Sequence, residues 1–186
     1  MSATAVTVLV IVVVLAVAGL LVLARMQARR RRLRERFGPE YERMVAEADS
    51  PRAVEHELAA REKRHADLPI RALPADARDR YAKEWLAVQE QFVDAPVEAV
   101  GEADRLVTAL MGDRGYPTEG YEQQLADLSV EHAQMLDHYR SAHDLSDRAA
   151  AGTATTENLR QAMVHYRSLF EDLLQERVGQ GRPDRG

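Results

Sequence analysis

The sequence of 186 residues contains no cysteine, which excludes disulfide frameworks, thiolate zinc sites and cysteine nucleophiles. Its charge is divided unevenly. Residues 1–36 carry seven Arg and one Glu, a net charge of +6, whereas residues 37–186 carry 18 basic and 29 acidic residues, a net charge of −11.

Residues 5–24 form an apolar run in which Thr7 is the only polar side chain. Twenty residues at about 1.5 Å per residue span about 30 Å, the thickness of a bilayer hydrocarbon core. We therefore predict one transmembrane helix from Ala5 to Ala24, with residues 1–24 comprising that helix and a short tail outside the cell. A cleaved signal peptide is the alternative, because residues 16–18 (Ala-Val-Ala) are similar to a cleavage site. However, no basic residue precedes the run, and the run exceeds the apolar length of about 7–15 residues typical of signal peptides.

A cluster of seven arginines follows the apolar run directly, and we call it the arginine cluster. By the positive-inside rule it places the following chain in the cytoplasm and the protein in the inner (plasma) membrane as a single-pass protein. The same residues lie near anionic headgroups, where each contributes about 1 kcal/mol of attraction. Nucleic-acid binding is the alternative for a basic run, but the acidic remainder of the chain argues against nucleic acid as a partner. The cluster consists of Arg25, Arg29, Arg30, Arg31, Arg32, Arg34 and Arg36.

Residues 25–73 are predicted to form a basic juxtamembrane segment and a charged helical linker. Gly38-Pro39 should kink the first helix of this region, and Ser50-Pro51 should begin the second. The second helix has few apolar positions, so we expect it to be mostly solvated. Apolar residues recur at helical spacing in the first helix at Leu33, Phe37 and Tyr41.

Residues 74–177 are predicted to form an antiparallel bundle of about four main helices, followed by a disordered tail at 178–186. The pattern indicates an all-α protein, because no segment alternates with a period of two. Gly115 and Gly152 are expected to end helices. Ser129 is expected to cap the helix that ends at Gly152, and Thr155 or Thr156 should cap the last helix.

The tetrapeptide His-Tyr-Arg-Ser occurs twice, at 138–141 and 165–168, on either side of a predicted turn. In an antiparallel hairpin, His138 and His165 would lie at similar heights. One interpretation is a metal or acid/base site. The other is that the two tyrosines pack inward while His and Arg occupy the flanks. Neither helix has the usual i, i+3 or i+4 ligand spacing, so we assign no catalytic, cofactor or metal residue and keep the histidines as candidates. The acidic residues expected near them are Glu131, Asp137 and Glu171.

The chain contains several short motifs that are useful for comparison. Two of them are Arg36-Phe37-Gly38-Pro39-Glu40-Tyr41 and Arg114-Gly115-Tyr116-Pro117. With these motifs the chain resembles a group of uncharacterised single-pass membrane proteins of high-GC bacteria. The 23 Arg against two Lys agree with such a genome, because Arg codons are GC-rich. The resemblance implies an ordered domain after the membrane span and implies no activity.

The expected function is that of a membrane-tethered, non-enzymatic interaction or scaffold protein. Its expected partners are a bilayer with anionic headgroups and an unidentified protein, and no cofactor is expected. The alternative is a metal- or ligand-binding sensor or an enzyme that uses His138 and His165. A ligand cavity among the aromatic residues would serve the same alternative. Those aromatic residues are Trp85, Tyr139 and Tyr166.

Overall fold

The computed structural model describes residues 3–175, with side chains from residue 11 onward. This part of the chain is helical and contains no strand, which confirms the all-α prediction. The predicted tail at 178–186 lies outside the described residues. The chain divides into two compact units, residues 1–59 and residues 60–186. The helices are α1 (Ala3–Glu47), α2 (Pro51–Ala66), α3 (Ala75–Asp94), α4 (Pro96–Asp113), α5 (Tyr121–Leu128), α6 (Leu136–Ala150) and α7 (Thr156–Gln175), with a short 3-10 helix at Ala133–Met135.

Helix α1 is kinked at Gly38, as predicted. Gly38 has φ 45° and ψ −122°, a conformation that glycine adopts at little cost because it has no Cβ. Pro39 follows and cannot donate a backbone hydrogen bond to the preceding turn. The helix then continues to Glu47. Two helical pieces of different direction therefore meet at the Gly-Pro step.

The first unit has its own buried side chains. The predicted stripe Leu33, Phe37 and Tyr41 is buried. Helix α2 begins at Pro51, as predicted, and its apolar residues are also buried, so this helix is less solvated than its composition suggests. An ion pair of 2.6 Å between Arg30 Nε and Glu55 Oε1 joins α1 to α2.

The second unit has one hydrophobic core, to which α3, α4, α6 and α7 all contribute. The predicted stripe of α3 is buried at Tyr81, Trp85 and Val88. The Trp85 ring stacks on the Phe170 ring with the centroids 4.7 Å apart and the planes 19° apart. Because Trp85 is the only tryptophan of the chain, its fluorescence reports on this core.

Two helices of the second unit end in the same glycine motif. After α4, Gly115 N–H donates to Gly112 O and Tyr116 N–H donates to Met111 O. After α6, Gly152 N–H donates to Ala149 O and the next residue donates to Arg148 O. This pair of bonds is the Schellman motif, which requires a positive φ at the glycine. The values are 96° at Gly115 and 68° at Gly152, so both predicted helix ends are confirmed.

The predicted start of the third bundle helix at Ser129 is wrong. Ser129 ends α5, and α6 begins at Leu136. The Ser129 hydroxyl donates to the carbonyl oxygen of Ala126 in the preceding turn and does not cap a following helix. By contrast, Thr155 caps α7 as predicted, because its hydroxyl oxygen accepts from Asn158 N–H while Asn158 Oδ1 accepts from Thr155 N–H.

Candidate functional site

The apolar part of α1 exposes its large side chains. Residues 11–24 are all exposed, and Leu15, Leu20 and Leu21 are each about two-thirds exposed. A soluble monomer rarely shows more than a few hundred Å² of continuous apolar surface. Covering the ten large exposed side chains of this part would stabilise the protein, because removal of apolar surface from water is favourable. By length and composition, α1 is the one described helix suited to crossing a membrane.

The arginine cluster lies on the exposed surface of α1 beyond the apolar part. At about 1.5 Å per residue, Arg25 is about 1.5 Å past Ala24 along the helix axis, whereas Arg36 is about 18 Å past it. Arg30, Arg31 and Arg34 form ion pairs at 2.6–2.8 Å with glutamates of the same unit. The pairs of Arg31 and Arg34 are exposed on both sides, and such pairs contribute about 0–1 kcal/mol, so anionic headgroups can compete for these two arginines.

His138 and His165 meet across α6 and α7. Their Nδ1 atoms are 2.9 Å apart, and their ring centroids are 5.2 Å apart with the planes at 49°. Both side chains are partly exposed. In a pair of uncharged rings one Nδ1–H donates to the lone pair of the other Nδ1, which requires opposite tautomers on the two rings. The sequence-based expectation that these two residues lie at similar heights agrees with this contact.

The acidic residues expected near the histidine pair are engaged elsewhere. Glu131 lies 3.4 Å from the Tyr116 hydroxyl, because the turn after α5 and not α6 carries it. Asp137 pairs with Arg140 at 3.1 Å, and Glu171 pairs with an arginine on its own helix at 2.7 Å. Within the described residues, no group of three or more His, Cys, Asp or Glu side chains is arranged to hold a metal ion.

The tyrosines of the two His-Tyr-Arg-Ser motifs pack inward, as the second interpretation requires. Tyr139 and Tyr166 are buried, and the Tyr166 hydroxyl donates to Asp104 Oδ1 at 2.7 Å. Burial, and then the negative charge of Asp104, raises the pKa of both phenols well above the usual value. Both hydroxyls therefore stay protonated at neutral pH and act as donors inside the core. The structure combines the two interpretations, since the tyrosines build the core and the histidines meet on its flank.

The contact between the histidines predicts a loss of stability in acid. Burial, and then the charge of His138, lowers the pKa of His165 below 6.5. The unfolded chain therefore binds more protons than the folded chain in a window just below pH 6.5, and stability falls as the pH decreases through that window. We expect urea unfolding, followed by Trp85 fluorescence, to show a steeper loss between pH 7 and 5 for the native chain than for the His165→Gln variant. Equal pH dependence of the two proteins would contradict the contact.

A second polar cluster, which we call the Tyr116 chain, was not predicted. His132 Nδ1 lies 2.5 Å from Asp172 Oδ2, and His132 Nε2 lies 3.1 Å from the Tyr116 hydroxyl. Glu131 Oε2 lies 3.4 Å from the same hydroxyl and 3.8 Å from His65 Nε2. The Tyr116 chain thus connects side chains from the turn after α4, the turn after α5, the end of α2 and helix α7.

The Tyr116 chain has the order carboxylate, imidazole, hydroxyl that activates nucleophiles in some enzymes. Here Tyr116 is 3% exposed and His132 is 3% exposed. A nucleophile must reach its substrate, and this hydroxyl is covered by protein. The arrangement serves to satisfy buried polar groups where four segments meet, because a buried polar group without a partner costs about 1–3 kcal/mol.

Removal of the Tyr116 hydroxyl should therefore destabilise the second unit. We expect Tyr116→Phe to lower the free energy of unfolding by about 1–3 kcal/mol, because it deletes the contacts with His132 and Glu131. Tyr81→Phe is the matched control, since the Tyr81 hydroxyl donates to Asp113, a carboxylate that is half exposed, at 2.8 Å. The control should cost about 1 kcal/mol or less. If urea unfolding shows the same loss of unfolding free energy in both variants, the hydrogen bonds of the Tyr116 chain stabilise the unit no more than an exposed one does.

Comparison of the chain with protein-family models, with curated proteins and with solved structures finds no match.

Proposed function

We propose that this protein is a single-pass membrane protein of the inner (plasma) membrane that holds a helical interaction domain at the cytoplasmic face. One observation carries the proposal: an exposed apolar helix of spanning length leads directly into the exposed arginine cluster. Lipid would bury the apolar part, and the cluster would keep the end that bears it in the cytoplasm. Membership of the single-pass bacterial group with the same motifs stays a prediction.

The domain is proposed to be an antiparallel bundle. Support comes from contacts between helix ends. Arg148, near the end of α6, donates to Asn158 near the start of α7 at 3.1 Å. Tyr81, near the start of α3, donates to Asp113 at the end of α4. The first contact reflects the short connection between α6 and α7. The second is the contact expected when consecutive helices run in opposite directions, because it joins the start of α3 to the end of α4.

The topology can be tested with single cysteines, because the natural chain has none. Ser2→Cys would place a thiol before the span, and Thr153→Cys would place one in the exposed turn between α6 and α7. In intact cells a membrane-impermeant maleimide should label position 2 and should label position 153 only after lysis. The reverse pattern would overturn the orientation, and labelling of both positions in intact cells would overturn the span.

An exposed apolar patch favours protein binding by the domain. It consists of Leu86, Val93 and Val97, which are 58%, 81% and 43% exposed. Leu86 and Val93 are seven residues apart and therefore share one face of α3. Glu90 and Asp94, which are also exposed, follow them along the helix. A complementary protein surface would offer an apolar centre with basic residues at its rim.

The patch can be tested by crosslinking in the native membrane. We expect a photoreactive residue at position 89 of the full chain to give a discrete, saturable adduct. Leu86→Glu combined with Val93→Glu should abolish that adduct. Val164→Glu is the control, because Val164 is a comparably exposed valine on α7. An adduct that persists in the double variant would contradict the interaction role. A second control protein carries the same span fused to an unrelated domain with a photoreactive residue. If the native chain gives no more adduct than this protein, the interaction role is also contradicted.

The second candidate function is a metal- or ligand-binding sensor or an enzyme built on His138 and His165. The 2.9 Å separation of their Nδ1 atoms favours it, since it brings two imidazole nitrogens from neighbouring helices together at one partly exposed position. Ion binding in solution would distinguish this candidate from the interaction role, which requires no ion.

A further inference from the structure

We propose that His138 and His165 form a two-imidazole site for a divalent copper or nickel ion, bound through the Nδ1 atom of each ring. The site specifies the ion class of the second candidate function above, and it does not depend on the membrane span. The two ligands come from different helices, α6 and α7, so it differs from a helical His-x-x-x-His pair.

The separation of the two nitrogens favours particular coordination geometries. Two nitrogens that are each about 2.0–2.1 Å from a metal lie about 2.8–3.0 Å apart at a right angle and about 3.3–3.4 Å apart at a tetrahedral angle. The observed separation is 2.9 Å. It therefore fits neighbouring positions of a square-planar or octahedral ion without separation of the two helices. Copper(II) and nickel(II) prefer such geometries, whereas zinc prefers the tetrahedral one.

The surroundings of the pair also suit a cation site. The nearby arginines do not leave an uncompensated positive charge, because Arg140 pairs with Asp137 and Arg167 pairs with Glu171. Both histidines are partly exposed, so water can occupy the remaining coordination positions.

Binding requires one tautomeric change and a rotation of the two rings, because the hydrogen bond directs the two Nδ1 atoms at each other and not at a common ion. In the metal-free pair one Nδ1 carries the shared proton. With an ion present, that ring must carry its proton on Nε2 so that both Nδ1 lone pairs face the metal. Affinity should decline in acid, because protons then compete with the ion for the two nitrogens.

The test is titration of the full chain in detergent micelles with Cu(II) and, separately, with Ni(II) and Zn(II), in the presence of glycine as a weak competitor. We expect one Cu(II) per chain, with electron paramagnetic resonance showing two imidazole nitrogens. His138→Gln and His165→Gln should each weaken binding by tenfold or more. His143→Gln is the matched control, because His143 is also on α6 and its side chain is 29% exposed. It should leave the affinity unchanged.

Three results would overturn the site: an unchanged affinity in the two glutamine variants, an equal loss in the control, or a spectrum without two imidazole nitrogens. Most nitrogen sites bind copper(II) more tightly than zinc. Tighter binding of Zn(II) than of Cu(II) would therefore also overturn the site. Circular dichroism of each variant checks that a loss of binding is not a loss of folding. Failure of this site would leave the thiol-labelling and crosslinking results, and so the membrane and interaction roles, intact.

Discussion

The double substitution Leu15→Asp and Gly19→Asp is expected to release the protein from the membrane. The two positions are one helical turn apart near the middle of the apolar run, and a side chain at Gly19 meets no atom within 4 Å. An Asp at the centre of a span costs about 2.5–3.5 kcal/mol, whereas each Leu, Ile, Phe or Val there contributes about 0.3–0.6 kcal/mol. Two Asp residues therefore cancel most of the favourable insertion free energy of a twenty-residue run.

The measurement is the fraction of full-length chain that stays with membranes after a wash at alkaline pH. The native chain should remain in the pellet, and the double Asp variant should appear in the supernatant or be degraded. Leu15→Ala combined with Gly19→Ala is the matched control, because it changes the same positions and keeps them apolar. Retention of the double Asp variant at the level of this control would show that the hydrocarbon core does not hold α1.

Helix positions were largely predictable because their signals are local. Pro51 at the first helical position indicated the start of α2, and Thr155 indicated the start of α7. Gly115 and Gly152 fixed two ends through a backbone conformation that other residues avoid. The prediction at Ser129 was wrong because a serine hydroxyl can either accept a hydrogen bond from the N–H of a following turn or donate one to a carbonyl of the preceding turn. Ser129 does the second. The choice depends on the path of the chain after α5, which no local pattern encodes.

The two polar clusters differ in how far the sequence revealed them. The repeat of His-Tyr-Arg-Ser indicated that His138 and His165 could meet, and only the hairpin geometry was needed to bring them together. The Tyr116 chain joins residues that are 15–66 positions apart, with no repeated motif to connect them. A helix that began at Ser129 would contain His132, whereas His132 lies in the turn after α5. Side chains gathered from several turns are the kind of site that a single sequence does not show.

Gly115→Ala is expected to be the most destabilising of the glycine-to-alanine substitutions at positions 101, 115 and 152. The positive φ of 96° already costs a residue with a side chain about 1–2 kcal/mol. A Cβ at this position would also lie 2.4 Å from the carbonyl oxygen of Pro69 and 2.9 Å from its carbonyl carbon. Both are backbone atoms and cannot rotate away, so the segment at Pro69 would have to move, at a further cost of about 1–3 kcal/mol.

Two other glycines separate these contributions. Gly152 ends α6 in the same motif with φ 68°, but a Cβ there meets nothing within 4 Å, so Gly152→Ala should cost only the 1–2 kcal/mol of the backbone conformation. Gly101 lies inside α4 with open space around it, and Gly101→Ala should stabilise the unit by up to about 1 kcal/mol. Urea unfolding of the full chain, followed by Trp85 fluorescence, gives all three values. If Gly115→Ala costs no more than Gly152→Ala, the close approach of Pro69 to the end of α4 does not exist. A larger cost at Gly115 would mean that this glycine is required both for its own backbone angle and for the packing of the 69–71 segment against the Tyr116 turn.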